Sequence, residues 1–95
     1  MASTPEEISI SYSEGGVEVV KELDKAVLSK GAWTTILFRY QDWDARKNEY
    51  SKDRYSIRRY QKRNGEYQQK SKFNISSPDQ ARQLIEVLER WLATD

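Results

Sequence analysis

The chain has 95 residues, of which 37% are hydrophobic and 33% charged, and its formal net charge is +1; this length makes one domain. It contains no Cys and no His, which excludes disulfides, thiolate or imidazole metal sites, cysteine nucleophiles and His-based acid–base catalysis. Residues 39–72 hold eleven Lys or Arg against five acids, a net charge of +6, between acidic flanks. The uneven charge predicts a binding surface in the middle of the chain.

The N-terminal residues carry no targeting signal that we recognise. Residues 1–7 are polar and predict a flexible N-terminus, followed by a single domain over residues 8–95. Neither a leader sequence nor a run of the ~20 apolar residues needed to span a membrane is visible. We therefore expect a soluble cytoplasmic protein with no membrane partner.

The first structured segment predicts a hairpin. Residues 8–12 alternate Ile, Ile and Tyr with serines, as in a strand, and Gly15-Gly16 predicts a turn. Residues 17–28 fit a strand, yet residues 20–28 also fit one face of a helix. The hairpin pattern favours the strand.

Three strand patterns fill the basic middle. They cover Trp33–Trp43, Tyr55–Lys62 and Tyr67–Ile75 and are rich in β-branched and aromatic residues. Residues 45–53 predict an exposed, mobile loop. Asn64-Gly65 predicts a hairpin turn, because both residues tolerate positive φ.

A helix is predicted after the last strand. Ser77 suits its N-cap, Pro78 its first position, and Gln80 completes a capping box. An apolar stripe follows at helical spacing, formed by Ala81, Leu84, Ile85, Leu88, Trp91 and Leu92. The fold class is therefore α+β, a curved antiparallel sheet of four to five strands packed by one C-terminal helix. We expect Leu88 and Trp91 to be buried against Ile36, Phe38 and Phe73.

Strand alternation divides the sheet into two predicted faces. One face is apolar, should lie under the helix, and includes Ile36, Phe38, Tyr40, Tyr55, Ile57, Tyr67, Phe73 and Ile75. The opposite face predicts a nucleic-acid-binding site formed by Trp33, Arg39, Trp43, Arg58, Tyr60, Lys62, Lys70 and Lys72. On it the cations would contact phosphates, and the aromatic rings would stack on bases. The alternative is the ordinary solvated side of an antiparallel sheet.

Two segments carry a resemblance to a known family. Residues 36–44, ILFRYQDWD, and residues 72–80, KFNISSPDQ, resemble a long strand and the proline-capped helix start of the transcriptional positive cofactor four family. That family is similar in fold to the Whirly proteins, and the likeness is nearer to a bacterial, cyanobacterial-type branch. The resemblance implies a curved sheet with one C-terminal helix, a homodimer, and binding of single-stranded DNA in transcription or DNA maintenance.

Three classes of function compete. The leading hypothesis is a single-stranded nucleic-acid-binding module without a cofactor, and DNA and RNA remain alternatives. The second is a protein-interaction or assembly module, because Tyr, Trp and Arg are also enriched in protein interfaces. The third is an enzyme using Asp42 and Asp44, but acids that flank Trp43 at a strand end are more typical of a turn. We expect no enzymatic activity.

The helix also predicts the oligomeric state. Its apolar residues exceed what one small sheet needs to cover. We therefore expect a homodimer, in which two copies cover each other's apolar surface.

Overall fold

The computed structural model describes residues 2–93 as a short 3₁₀ turn, six strands and one helix. Their bounds are Pro5–Glu7 for the turn, then β1 Tyr12–Glu14, β2 Val17–Ser29, β3 Trp33–Asp44, β4 Glu49–Tyr50, β5 Arg54–Arg63, β6 Glu66–Ile75 and α1 Pro78–Leu92. The strands are antiparallel and lie in the order β1-β2-β3-β5-β6, with β4 paired to β3. The sheet curls into a half-barrel, and the predicted α+β class is confirmed.

The first hairpin differs from its prediction at one end. Residues 17–28 belong to β2, which resolves the choice between strand and helix. The strand predicted over residues 8–12 is wrong, because β1 begins only at Tyr12. The backbone N–H of Ile10 donates instead to the side chain of Glu22 at 3.1 Å. Residues 8–11 therefore cross the sheet without joining its ladder.

The second hairpin has the predicted turn. Asn64 and Gly65 have φ of 52° and 79°, the left-handed conformation that a tight two-residue hairpin turn requires. They join Arg63 to Glu66, which are paired across the adjacent ends of β5 and β6.

The segment over residues 45–53, predicted as a loop, contains the short strand β4, which pairs with the end of β3. Its mobility stays a prediction.

The core lies between the sheet and the N-terminal segment. We call residues 2–11 the N-terminal strap and the sheet face beneath it the inner face. Ile8 and Ile10 of the strap are 4% and 9% exposed. They cluster with four buried residues of the inner face, Ile36, Phe38, Tyr40 and Tyr60. Two isoleucines thus supply the apolar cover that the sequence assigned to the helix.

Polar contacts fix the strap in place. The side chain of Glu7 accepts hydrogen bonds from the backbone and hydroxyl groups of Ser3 and Thr4, which closes the 3₁₀ turn. The backbone N–H of Tyr67 donates to the carbonyl of Ala2 at 3.0 Å, so the strap also contacts β6. Met1, Thr94 and Asp95 lie outside the described residues, and the predicted flexibility of residues 1–7 stays a prediction.

Helix α1 lies on the other side of the sheet and is only loosely packed. It contains no buried residue, and Leu88 and Trp91 are 51% and 63% exposed. The expected burial of these two residues against Ile36 and Phe38 is therefore wrong. Ile36 and Phe38 are 0% exposed, but they face the strap.

Within residues 2–93 no helix is both long enough and apolar enough to span a membrane.

The start of α1 follows the predicted capping closely. The Ser77 hydroxyl accepts from the backbone N–H of Gln80 at 3.1 Å, and Pro78 occupies the first helical position. The Gln80 side chain accepts from the backbone N–H of Ser76 at 2.8 Å, one residue before the N-cap. These bonds satisfy backbone groups that a helix start leaves unpaired.

Candidate nucleic-acid interface

Strand register decides which side chains share a face. Leu37 pairs with Ile57, and Ile57 pairs with Phe73, so these apolar side chains share the helix side. On the inner face, Ile36 pairs with Arg58, and Arg58 pairs with Lys72. The sequence prediction placed Ile36 and Ile57 together. That sorting is wrong by one residue between β3 and β5, and a one-residue offset moves every side chain to the other face.

The predicted site residues consequently separate. Arg58, Tyr60, Lys62 and Lys72 belong to the inner face of β5 and β6. The residues Trp33, Arg39 and Trp43 alternate with the buried residues of β3, so they lie on the helix side. Lys70 is an extra residue in β6, because the register shifts between Arg59–Ser71 and Tyr60–Gln69. No single face carries the whole predicted set.

Tyr60 has a structural place in the core. It is 6% exposed and packs with the strap and the buried residues of β3. Burial raises the pKa of its phenol, and the nearby positive charge of Arg58 opposes that shift. The predicted stacking of Tyr60 on a base is therefore wrong, since its ring is already covered by protein.

The three predicted residues on the helix side each contact another part of the sheet. The guanidinium of Arg59 lies 4.6 Å from the ring centroid of Trp33, and Trp33 is 42% exposed. Arg39 forms an ion pair with Asp53 at 3.2 Å. Trp43 packs edge-on against Tyr50, with ring centroids 5.0 Å apart. Arg39 therefore has its charge compensated, while Trp33 keeps part of its ring accessible.

Positive charge concentrates on the hairpin formed by β5 and β6. We call Arg54–Ile75 the basic hairpin; it carries seven Lys or Arg and one acid, Glu66. Within residues 2–93, one cation of this hairpin forms an ion pair: Arg54 lies 3.1 Å from the carboxylate of Asp42. Six cations have no carboxylate within ion-pair distance in that part of the chain: Arg58, Arg59, Lys62, Arg63, Lys70 and Lys72.

Two of these cations face each other directly. Arg58 and Lys72 are register partners on the same face, and like charges placed opposite each other destabilise a strand pair. Arg58 is held there by neutral groups. Its Nε donates to the Ser56 hydroxyl at 3.2 Å and its Nη1 donates to the Gln69 side-chain oxygen at 3.1 Å. The arrangement keeps two positive charges together, and no carboxylate of residues 2–93 lies within ion-pair distance of either.

This support of Arg58 has no strong signal in the amino-acid sequence. Ser56 is 0% exposed, and its hydroxyl also donates to the Asn74 side-chain oxygen at 2.7 Å. A lone serine within a strand pattern is unremarkable until register places it beside Arg58. Alternation within β5 puts Ser56 and Arg58 on one face, but the contributions of Gln69 and Asn74 depend on the pairing with β6 and on its bulge.

The paired acids of the enzyme hypothesis have structural contacts. Asp42 accepts from Arg54, and the Asp44 carboxylate accepts from the backbone N–H groups of Arg46 and Lys47 at 3.0 and 3.3 Å. Asp44 thus closes the turn that follows β3. In the described part of the chain, no group of three or more acidic residues is arranged to hold a metal ion.

An apolar groove separates α1 from the helix side of the sheet. It has a volume of about 490 Å³, and Leu37, Ile57, Leu84 and Leu88 are among the residues that line it. Along the groove and next to it, five large apolar side chains are more than half exposed, namely Phe73, Ile85, Leu88, Trp91 and Leu92. The described residues thus present a basic hairpin and, on the helix side, an exposed apolar surface.

No family model, curated protein or solved structure matches the chain.

Proposed function

We propose that the chain binds single-stranded nucleic acid through the basic hairpin. The observation that carries this proposal is the opposed pair Arg58 and Lys72, which lack a carboxylate partner in residues 2–93. A polyanion would relieve the repulsion between these cations, and release of its counterions would favour binding. Lys62 continues the inner-face charge four residues along β5. Because strands rise about 3.3 Å per residue, Lys62 extends the basic track by about 13 Å.

Accessible aromatic rings favour a single strand over a duplex. Tyr67 packs against the edge of the core but stays partly exposed beside Lys62, whose ammonium lies 5.6 Å from its ring centroid. Trp33 presents part of its ring on the other side of the sheet. Bases of a single strand can splay and stack on such rings, whereas bases in a duplex are already stacked. Stacking accepts any base, so little sequence preference is expected. A role in transcription or DNA maintenance rests on the family resemblance.

A titration of charge-reversed variants tests this function. We expect Arg58→Glu with Lys72→Glu to abolish binding of a fluorescently labelled oligothymidylate while the circular dichroism spectrum is retained. Arg82→Glu with Arg90→Glu is the matched control, because both are exposed cations on α1, away from the basic hairpin, and the change in net charge is the same. Equal binding by the double variant and the original protein would contradict the proposal, as would an affinity that does not change with salt.

We further propose that the apolar surface beside α1 contacts a second copy of the chain. Monomeric proteins rarely expose a contiguous apolar patch larger than a few hundred Å². The five apolar side chains that are more than half exposed form a patch of roughly a few hundred Å². A standard interface buries about 800 Å² on each partner, so this patch could form the centre of one. The exposed charges of α1 have both signs, with Arg82 and Arg90 near Glu86 and Glu89. A two-fold axis can pair such charges with their opposites, so a second copy is a better match than a partner of one sign.

Sedimentation tests the homodimer. We expect a dimer mass at micromolar concentration, and a monomer mass for Ile85→Gln with Leu88→Gln. Arg82→Gln is the control on the same helix, since its partner Asp79 is on the surface and both side chains are more than 70% exposed. A monomer mass for the original protein would contradict the proposal. It would favour the alternative of an assembly module whose partner is another protein.

A further inference from the structure

We propose that Ser56, Asn74 and Gln69 are positioning residues that hold Arg58 as a preorganised phosphate-binding group. The inference rests on the proposed function, because it describes how the basic hairpin would bind a phosphodiester. It adds that phosphate binding depends on the direction of the Arg58 side chain as well as on its charge. The three supporting residues have no charge of their own.

The geometry forms a short chain of hydrogen bonds across the hairpin. The buried Ser56 hydroxyl donates to Asn74 at 2.7 Å and accepts from Arg58 Nε at 3.2 Å, so its donor and one acceptor site are both used. Gln69 accepts from Arg58 Nη1 at 3.1 Å on the far side of the guanidinium. Two bonds at different edges fix the plane of the group. Further N–H donors remain for a ligand, because a guanidinium carries five.

The neutrality of this support distinguishes Arg58 from Arg39 and Arg54 of the same sheet. Arg39 and Arg54 are oriented by Asp53 and Asp42, and those carboxylates compensate the charge that they orient. Ser56 and Gln69 orient Arg58 without compensating it. An oriented, uncompensated guanidinium next to Lys72 is suited to an anion, because charge-assisted hydrogen bonds are stronger than neutral ones.

The planar guanidinium group of Arg58 indicates the class of ligand. A guanidinium donates two parallel hydrogen bonds to a phosphate group, whereas an ammonium acts as a point charge. We therefore infer that Arg58 contacts two oxygens of one phosphodiester while Lys72 contributes charge at the same position. The Ser56 hydroxyl is occupied by Asn74 and Arg58, so its role is to orient Arg58 and not to contact the ligand.

The test separates orientation from charge by a charge-conserving substitution. We expect Arg58→Lys to weaken binding of the labelled oligothymidylate about three- to tenfold and to leave the salt slope unchanged. Arg58→Ala should weaken binding further and lower the salt slope by about 0.7, the value for one phosphate contact of a single strand. Arg90→Lys is the matched control and should leave the affinity unchanged, because Arg90 is an exposed cation on α1, away from the basic hairpin. Equal affinity for Arg58→Lys and the original protein would overturn the inference.

A second variant tests the support itself. Gln69 is exposed, so Gln69→Ala should leave the melting temperature nearly unchanged and still weaken binding about threefold, with the salt slope retained. In the free protein, the Arg58 Nε–H should exchange slowly with water by NMR, and Ser56→Ala should speed that exchange. Fast exchange in the original protein would overturn the inference whatever the binding data show. If the original protein does not bind single strands but its Nε–H exchanges slowly, the proposed function fails while the support of Arg58 stands.

Discussion

The side-chain nitrogen of Lys25 lies 2.6 Å from the carbonyl oxygen of Ile8, beneath the N-terminal strap. The same ammonium donates to the carbonyl of Glu6 at 2.7 Å and to that of Pro5 at 3.3 Å. One side chain on β2 thereby satisfies three carbonyl groups in a segment that has few ladder partners. Because buried or half-buried carbonyl groups are costly when unpaired, Lys25 stabilises the position of the strap over the core.

Lys25→Met tests this contact, since methionine keeps an unbranched side chain but cannot donate a hydrogen bond. We expect the free energy of unfolding, measured in urea, to fall by about 1–3 kcal/mol. Lys30→Met is the control. Lys30 pairs with Glu6 at 2.9 Å, but both side chains are more than 60% exposed, and such surface pairs contribute at most about 1 kcal/mol. Equal losses for the two variants would show that Lys25 acts only as a surface charge.

Phe38→Ala should be among the most damaging single changes. Phe38 is 0% exposed between the strap and the sheet, and truncating a buried Phe typically costs about 3–5 kcal/mol. Leu88→Ala is the informative comparison, because Leu88 is 51% exposed in the single chain. The free energy of unfolding should therefore fall much less for Leu88→Ala than for Phe38→Ala in urea titrations of the dilute protein. A larger loss for Leu88→Ala would restore the helix as the main cover of the sheet.

The strands and the helix were predictable because their signals are local. The Ser77 N-cap, the Asn64-Gly65 turn and the β-branched residues of β3 each act over a few neighbouring residues. Their prediction needs no knowledge of the partner strand. Among the predicted strands, the one over residues 8–12 failed: it does alternate, but it packs across the sheet and not along its edge. The two-residue strand β4 was missed because its segment is polar and has no alternation.

The faces were not predictable because they depend on register. Alternation within β5 correctly groups Ser56 with Arg58, but it does not say whether Ile36 or Leu37 lies opposite. The pairing of Leu37 with Ile57 decides this, and the bulge at Lys70 then shifts the first residues of β6, from Glu66 to Gln69. Consequently Arg58, Lys62 and Lys72 remain together as a candidate site, whereas Tyr60 enters the core and Trp33 lies on the opposite face.

Gly65→Ala tests the hairpin that carries the candidate interface. Gly65 has φ of 79°, and a residue with a Cβ loses about 1–2 kcal/mol in the left-handed conformation. Nothing lies within 4 Å of an added Cβ, so the expected loss of stability in urea comes from the backbone alone. Gln68→Ala, at an exposed strand position in the same hairpin, should change stability little. An unchanged midpoint for Gly65→Ala would mean that the turn has another conformation in solution.

Stability should fall at alkaline pH because of the buried phenol of Tyr60. Desolvation raises its pKa above the ordinary value of 10.0, and Arg58 partly opposes this rise. The unfolded chain therefore loses the phenolic proton at a lower pH than the folded chain does. The contribution of Tyr60 to stability is complete below about pH 10 and is lost as the pH rises through the higher pKa of the folded state.

Tyr60→Phe removes the titrating hydroxyl and keeps the ring in the core. We expect this variant to lose less stability than the original protein between neutral pH and pH values above 10, measured by urea titration at each pH. Tyr12→Phe is the control, because Tyr12 is 55% exposed. Tyr40, whose pKa is also raised mainly by desolvation, should preserve part of the alkaline loss in Tyr60→Phe. Arg58→Ala should make the alkaline loss of stability larger, because it removes the positive charge that favours the ionised phenol of Tyr60. If the dependence of stability on pH were unchanged in Arg58→Ala, Arg58 would lie away from Tyr60 in solution.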